Sequence, residues 1–179
     1  GVEVIPGVTA ALAASTYAGI PLTHRDYASA VAFATGHEDP TKPESALDWA
    51  ALARVGTLCL YMGVKQLSQI ARQLMEHLDP STPVAVIERA ATPRQRTTAG
   101  TLENIATLVE AAGVKAPALT IIGRTVELRS KLNFFEQRPL FGKCIVITRA
   151  RTQASTLATV LAALGADVMQ FPTIRIEPP

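Results

Sequence analysis

Hydrophobic and polar positions alternate along the chain in short blocks that predict strands and helices in turn. Apolar runs predict strands at residues 2–5, 29–35, 57–62, 84–88 and 118–122. Helices are predicted at residues 10–18, 46–53, 64–78 and 102–112, with a loop at 37–44 and an antiparallel edge strand at 95–98. The helix at 64–78 has the clearest pattern, since Leu67, Ile70, Ala71 and Leu74 recur at helical spacing. The pattern predicts an α/β fold with a mixed, mostly parallel sheet and helices on both faces.

The opening stretch has the clearest signals for where a strand and a helix begin and end. Pro6-Gly7 ends the first predicted strand, and Thr9 stands at the N-cap position of a helix of small residues. Gly19 occupies the position after the helix, where a left-handed residue belongs, and Pro21 stops its continuation. A helix with so little side-chain bulk lets a ligand or another backbone come close. The alternative is an ordinary α/β unit whose small helix packs in a crowded core.

Small residues follow most of the predicted strands. These positions are Pro6-Gly7, Gly36, Met62-Gly63, Arg89-Ala90 and Gly123. In open α/β sheets, ligands bind outside the carboxyl ends of the strands. No Gly-x-Gly-x-x-Gly or phosphate-binding loop is present, which disfavours a dinucleotide or a nucleoside triphosphate. We therefore expect a purine-like or amphipathic ligand with little phosphate.

Composition narrows the class of protein further. The 179 residues are 48% hydrophobic with a net charge of +2 and no block of like charges, which gives no reason to expect a nucleic-acid partner. No apolar stretch approaches the ~20 residues of a membrane span. Cys59 and Cys144 lie in apolar runs and are predicted to be buried thiols, and no cluster has metal-ligand spacing. We expect a cytoplasmic protein, and the bare strand-like start and the Ile-Glu-Pro-Pro end favour a fragment of something longer.

Five motifs follow one another in residues 1–135: V-I-P-G-V-T-A-A, A-G-I-P-L-T-H-R-D-Y, L-Y-M-G, E-R-A-A-T-P-R-Q-R and P-A-L-T-I-I-G. Together and in this order they resemble the tetrapyrrole (corrin) methylase family, and within it the methyltransferases that act on uroporphyrinogen III. The resemblance implies two α/β lobes with S-adenosylmethionine between them, residues 1–7 ending the first lobe. It also implies a homodimer that methylates uroporphyrinogen III twice to give precorrin-2, on the way to sirohaem or cobalamin.

The resemblance also assigns residues to the methyl donor. Its contacts carry over to Thr9, Ala10, Met62, Ala90 and Ala118. Small neighbours and backbone groups suit an adenine, and nearby cations would hinder a sulfonium. The family's glycine-rich loop, its Gly-Asp-Pro loop and its proposed acidic base belong upstream of Gly1. We therefore expect about half of the donor site here, with no assigned base, and an inactive fragment.

The substrate bears eight carboxylates, so basic side chains are expected near the cleft. His24 and Arg25 follow directly from the opening motif and form the first candidate group. The second candidate group is formed by Arg89, Arg94 and Arg96. For His24, a structural hydrogen bond with Asp26 or with the backbone is the alternative. For the last two arginines, the alternative is a solvated edge strand.

A second resemblance follows a predicted linker at residues 136–142. Residues 143–179 resemble the start of the uroporphyrinogen-III synthase family, in a flavodoxin-like β-α-β unit with strands at 144–148 and 168–171 and a helix at 153–164. Apolar helix positions are expected to face inward: Leu157, Val160, Leu161 and Leu164. The resemblance places Thr148, Arg149 and Pro172-Thr173 at the synthase cleft, where Arg149 would meet substrate carboxylates. It implies a bifunctional chain whose truncated synthase part is inactive.

Two other classes of function remain open from the residues alone. A generic α/β cofactor-binding oxidoreductase predicts a glycine-rich loop after the first strand and an acidic residue about 20 residues later, and neither is seen. A non-catalytic remnant or interaction module is the other alternative.

Overall fold

The structure, a computed structural model, describes residues 2–37, 47–149 and 151–173, with side chains in the last range from residue 156 onward. Its helices are α1 (Ala10–Ala18), α2 (Trp49–Ala53), α3 (Leu67–Met75), α4 (Ile105–Ala111), α5 (Arg129–Leu132) and α6 (Arg151–Ala163). Its strands are β1 (Ala30–Thr35), β2 (Gly56–Tyr61), β3 (Pro83–Glu88), β4 (Arg96–Thr101), β5 (Ala118–Ile122), β6 (Cys144–Ile147) and β7 (Asp167–Gln170). Short 3₁₀ helices cover Val64–Gln66 and Arg124–Leu128. No helix in these ranges is long and apolar enough to cross a membrane.

The main sheet has the strand order β1-β2-β5-β3-β4, and its directions correct one prediction. Only β1 and β2 are parallel neighbours, whereas the other three pairings are antiparallel. The expectation of a mostly parallel sheet was therefore wrong, because β5 inserts in the opposite direction between β2 and β3. The strands β1, β2 and β3 still point the same way. Their carboxyl ends share one edge with the start of β5, where Ala118 pairs with Glu88.

This topology moves one predicted strand end away from the others. Gly123 follows β5, and β5 runs against its neighbours, so Gly123 lies at the opposite edge of the sheet. A Cβ on Gly123 would lie 2.2 Å from the carbonyl oxygen of Gly56, at the start of β2. Gly123 therefore does not lie with Met62-Gly63 and Arg89-Ala90, and the expectation that it belongs to the same ligand-binding edge is wrong.

The predicted strand at residues 2–5 is also wrong. Residues 2–9 form no regular element, and Val2 is 95% exposed. A β-strand needs a neighbouring strand to receive its backbone hydrogen bonds. No strand in the described residues lies beside this segment, so its β-branched pattern has no ladder to join.

The sheet is covered on both faces, as predicted. Alternate strand residues such as Leu58 and Leu60 pack with α3 and α4 on one face. Their neighbours, such as Cys59, pack on the opposite face with α1 and Val126. Both faces are therefore apolar, and together they explain why β2 and β3 are nearly continuous hydrophobic runs.

Helix α1 has the predicted bounds because its end signals are strong. Gly19 adopts φ +69°, and its N–H bonds back to the carbonyl of Thr16 at 3.1 Å. A Cβ on Gly19 would lie 2.6 Å from the backbone of Leu132, so glycine is also required by close packing. Ala11, Ala14 and Ala18 form the buried stripe that lets the helix approach the sheet.

The other predicted helices are shorter than expected. The predicted helix at 64–78 begins as a 3₁₀ turn and its α-helical part ends at Met75. The one predicted at 102–112 begins only at Ile105. The one predicted at 46–53 begins at Trp49, capped by the side chain of Asp48, and its first residue lies outside the described residues. The predicted loop at 37–44 also lies outside them, apart from His37.

A second, two-stranded sheet is formed by β6 and β7, which are parallel and joined by α6. This agrees with the predicted β-α-β pattern. However, Leu157, Val160 and Leu164 are each 39–52% exposed, and Cys144 is exposed rather than buried. The inward prediction was wrong for these residues because two strands and one helix have too little surface to cover one another. Leu161 is partly buried.

Candidate ligand-binding cleft

A cleft of about 810 Å³ opens where β2 and β3 end and β5 begins. Its walls come from α1, the strand ends, the loop after β3 and the first residue of β7. The lining residues are mostly small or apolar: Ala10, Ala14, Tyr61, Met62, Ile87, Arg89, Ala90, Thr92, Pro93, Arg94, Ala116, Pro117, Ala118, Leu119 and Asp167. A volume of this size is typical of sites for drug-sized ligands.

The predicted donor contacts come together at this cleft. Ala10, Met62, Ala90 and Ala118 all line it, although they lie on four separate parts of the chain. Thr9 immediately precedes α1, and its hydroxyl is hydrogen-bonded to the hydroxyl of Tyr61. Its extended backbone fits an N-cap, but its side chain makes no cap hydrogen bond to the helix. That these residues contact a methyl donor remains a prediction.

Strained backbone is concentrated at the same place. Met62, Arg89 and Ala91 have φ values of +54°, +50° and +61°, and they are the non-glycine residues with positive φ in the described ranges. Such conformations are unfavourable for residues with a Cβ and cluster at functional sites. All three follow a strand end in or beside the cleft. This observation independently supports the cleft as a functional site.

A buried glutamine holds the loop after β3 in shape. Gln95 is 2% exposed, and its Oε1 accepts a hydrogen bond of 2.8 Å from the backbone N–H of Ala91. Its Nε2 donates to the carbonyl of Tyr17 at 3.1 Å and to Glu136 at 2.8 Å. The strained loop is therefore tied to α1 and to the segment after α5. Sequence reasoning missed this role because the partners are 41 and 78 residues away.

Tyr61 is a second residue that sequence reasoning missed. Its hydroxyl accepts a 3.0 Å hydrogen bond from the backbone N–H of Ala11, in the first turn of α1. Together with the bond to Thr9, this contact fixes the start of α1 against the end of β2. The Tyr61 hydroxyl thus accepts a hydrogen bond from an N–H group at the start of α1, as an N-cap side chain would, whereas the Thr9 side chain does not. The L-Y-M-G motif contains Tyr61, but nothing local in the sequence shows that its hydroxyl reaches α1.

The predicted substrate-binding cations divide into two groups. Arg89 and Arg94 line the cleft, and Arg94 Nε lies 2.6 Å from Asp167 Oδ2. Arg96 lies on β4 and pairs with Glu88, a carboxylate whose side chain is only 3% exposed. Its position therefore favours a structural role, and it is not among the lining residues.

The other predicted substrate contacts do not line this cleft. The backbone N–H of Asp26 donates to Nδ1 of His24 at 3.2 Å, a contact of the kind that the structural alternative for His24 expects. Arg25 is exposed beside it, and Arg149 is exposed after β6. Their roles as substrate contacts remain predictions.

The β6–β7 unit brings its own two predicted cleft-edge positions together. The backbone N–H of Thr173 and its hydroxyl each lie 3.2 Å from the carbonyl oxygen of Thr148. These residues follow β6 and β7, whose parallel direction puts both carboxyl ends at one edge. Both residues therefore lie at one edge of the unit, whereas a role in substrate binding remains a prediction.

Cys59 is excluded as a nucleophile by its surroundings. It is fully buried in β2, and burial raises the pKa of its thiol from 9.0 to about 12. The thiol therefore stays protonated at neutral pH and behaves as a small apolar core residue. No group of His, Cys, Asp and Glu able to hold a metal ion occurs in the part of the chain that the structure describes.

Comparison with known proteins gives a consistent answer. An S-adenosyl-L-methionine-dependent uroporphyrinogen III methyltransferase of Methanosarcina barkeri is 56% identical over 76% of this chain and 53% of its own length. A uroporphyrinogen-III C-methyltransferase of Bacillus subtilis is 42% identical over 98% of this chain and 36% of its own length. The crystal structure of the Thermus thermophilus uroporphyrin-III C-methyltransferase, complexed with S-adenosylhomocysteine, aligns with a TM-score of 0.58 and 38% identity. It covers 70% of this chain and 52% of that chain.

The chain thus spans about half the length of the relative from M. barkeri and of the T. thermophilus structure. The sequence profile of the tetrapyrrole (corrin/porphyrin) methylases matches residues 1–106. This match takes in α1, the strained strand ends and most of the cleft wall. The chain therefore belongs to the tetrapyrrole (corrin/porphyrin) methylases.

Proposed function

We propose that the chain is part of an S-adenosylmethionine-dependent enzyme that methylates uroporphyrinogen III at carbon to give precorrin-2. The observation that carries this proposal is the meeting of Ala10, Met62, Ala90 and Ala118 around one apolar cleft with strained strand ends. The M. barkeri and B. subtilis relatives are named for this activity on uroporphyrinogen III. The T. thermophilus protein was solved with the demethylated product of the donor.

The small residues of the lining suit the adenine of the methyl donor, and its two arginines suit an anionic group. Alanine side chains at three of these positions leave room for a flat adenine and for hydrogen bonds from the backbone. Met62 is exposed and its φ of +54° directs the chain sharply away from β2, which would leave its backbone available to the ligand. Arg89 and Arg94 lie on the loop after β3, where they would meet substrate carboxylates.

The relatives are longer than the aligned region, which limits what this chain is expected to do. We propose that the glycine-rich loops and the base of the complete donor site belong to the part of such a protein that does not align here. On this proposal, the 179-residue chain binds S-adenosylhomocysteine weakly and does not complete methyl transfer. The intact enzyme would act in the cytoplasm as a homodimer.

We propose further that the β6–β7 unit begins a uroporphyrinogen-III synthase domain in a bifunctional protein. The alignment with the B. subtilis relative covers 98% of this chain, so the unit after residue 142 has a counterpart in that protein. The contact between Thr148 and Thr173 supports a common edge for its predicted synthase residues. A synthase supplies the substrate of the methylase, which gives the fusion a chemical reason.

The test is the binding of S-adenosylhomocysteine to variants of the cleft, measured by calorimetry at high ligand concentration. Ala90→Leu adds a bulky side chain to the cleft wall and is expected to weaken binding at least about fivefold, because overpacking of this kind typically costs about 1–3 kcal/mol. Ala99→Leu is the matched control, since Ala99 is exposed on the edge strand β4. Equal affinity of the wild type and Ala90→Leu would show that the site lies elsewhere.

A further inference from the structure

One ion pair joins the cleft to the β6–β7 unit. Arg94 Nε lies 2.6 Å from Asp167 Oδ2, although the two residues are 73 positions apart in the chain. Both line the cleft, Arg94 from the loop after β3 and Asp167 from the first position of β7. Asp167 therefore presents a carboxylate to the cleft arginine in the geometry that a ligand carboxylate would use.

Both partners stand on backbone that is held in place. Thr92 Oγ1 donates to the carbonyl of Arg89 at 2.8 Å and accepts from the backbone N–H of Arg94 at 3.2 Å. The backbone N–H of Asp167 donates to the carbonyl of Lys143 at 2.8 Å. Just before it, Gly165 packs so closely on Phe141 that a Cβ would come within 3.1 Å of its nitrogen. The ion pair thus connects two fixed walls of the cleft.

A competing carboxylate can nevertheless displace Asp167 from Arg94 easily. The side chains of Arg94 and Asp167 are 62% and 31% exposed, and solvent-exposed ion pairs are weak and screened by salt. The neighbouring cations are different. Arg96 is bound by two of its nitrogens to Glu88, which is buried in β3, and Arg89 also lies 3.9 Å from that carboxylate. Arg94 is the cleft arginine whose partner belongs to the other unit.

We propose that Asp167 is an internal competitor for the carboxylates of an aromatic polycarboxylate ligand. A ligand carboxylate that takes Arg94 displaces Asp167 and releases the contact between the β6–β7 unit and the cleft. By thermodynamic linkage, breaking the contact by mutation must raise the affinity for the ligand. The inference rests on the proposed function for the choice of a tetrapyrrole as the natural ligand, while the competition itself depends only on charge and geometry.

The experiment measures binding of two probes to the wild-type chain and to Asp167→Asn, Arg94→Gln and the double variant. The probes are uroporphyrin III, followed by its fluorescence, and mellitate, a flat hexacarboxylate unrelated to tetrapyrroles. Asp167→Asn should bind both probes about two- to fivefold more tightly at low salt, the range that an exposed ion pair supports. Arg94→Gln should bind them more weakly, and the double variant should gain nothing over Arg94→Gln.

Glu103→Gln is the control, because Glu103 is an exposed carboxylate between β4 and α4 and does not line the cleft. If Asp167→Asn binds the two probes no better than Glu103→Gln, the inference is overturned. If mellitate shows the expected order and uroporphyrin III does not bind, the proposed function fails and the inference stands. Failure of every variant to bind either probe overturns both.

A second measurement follows the contact itself. Hydrogen exchange of the backbone N–H of Asp167, which bonds to Lys143, reports the stability of the β6–β7 unit at its attachment. Saturating mellitate should speed this exchange in the wild type and leave it unchanged in Asp167→Asn, where the ion pair is already absent. Equal exchange with and without the probe in the wild type would contradict the release of the unit.

Discussion

Removal of the Tyr61 hydroxyl tests how the cleft wall is built. Tyr61→Phe keeps the ring but removes the acceptor that lies 3.0 Å from the backbone nitrogen of Ala11. It also removes the partner of the Thr9 hydroxyl. The start of α1 is partly exposed, so water can replace part of the lost bonding. We therefore take the cost at about 1 kcal/mol, the net value of a typical intramolecular hydrogen bond.

This cost is expected in two measurements. The free energy of unfolding in urea should fall by about 1 kcal/mol, because the start of α1 is less firmly held. Affinity for S-adenosylhomocysteine should fall about fivefold, the factor that corresponds to 1 kcal/mol, because Ala10 forms part of the cleft wall. Calorimetry on the same samples gives the second value.

The control is Tyr27→Phe, which also removes a phenol hydroxyl. The ring of Tyr27 packs against His24 and Arg124, and it does not line the cleft. This variant should bind S-adenosylhomocysteine as the wild type does. If Tyr61→Phe loses stability but keeps full affinity, the start of α1 is not part of the binding site and the reasoning is refuted.

Further predictions concern the fold. Gly19→Ala should destabilise the chain by at least about 2 kcal/mol more in urea than Gly113→Ala, because both have positive φ but only Gly19 meets backbone, at Leu132; equal losses would contradict the close packing. A thiol reagent should label Cys144 quickly and Cys59 only on unfolding. Burial raises the pKa of Cys59 to about 12, whereas an unfolded thiol keeps the ordinary pKa of 9.0. Stability should therefore fall between these pH values by about 1.4 kcal/mol per unit, a slope that Cys59→Ala removes.

Glycine and proline at the ends of helices and strands made part of the fold predictable. The bounds of α1 and β5 were confirmed, because Gly19 and Gly123 end them and Pro117 stands before β5. Strand direction was not predictable in the same way, since the insertion of β5 between β2 and β3 is decided by contacts far apart in sequence. The segment at residues 2–5 shows the same limit, because a strand-like composition needs a partner strand before it becomes a strand.

The residues of the candidate site that belong to family motifs were predictable. Family motifs pointed to Ala10, Met62, Ala90 and Ala118, and these residues meet at one cleft. Tyr61 and Asp167 were missed because their roles depend on partners 50 and 73 residues away. A side chain whose contact is so distant leaves no periodic or local signal, so only the folded chain reveals it.

The methionine methyl groups test most directly whether the cleft holds the methyl donor. The chain has three methionines: Met62 lines the cleft, Met75 packs against the core between the sheet and α3, and Met169 is exposed on β7. Methyl-¹³C labelling gives one NMR signal for each, and Met62→Leu identifies the first. Titration with S-adenosylhomocysteine should shift the Met62 signal in a saturable way and leave the Met75 signal in place. A Met62 signal that stays fixed while calorimetry shows binding would contradict the account.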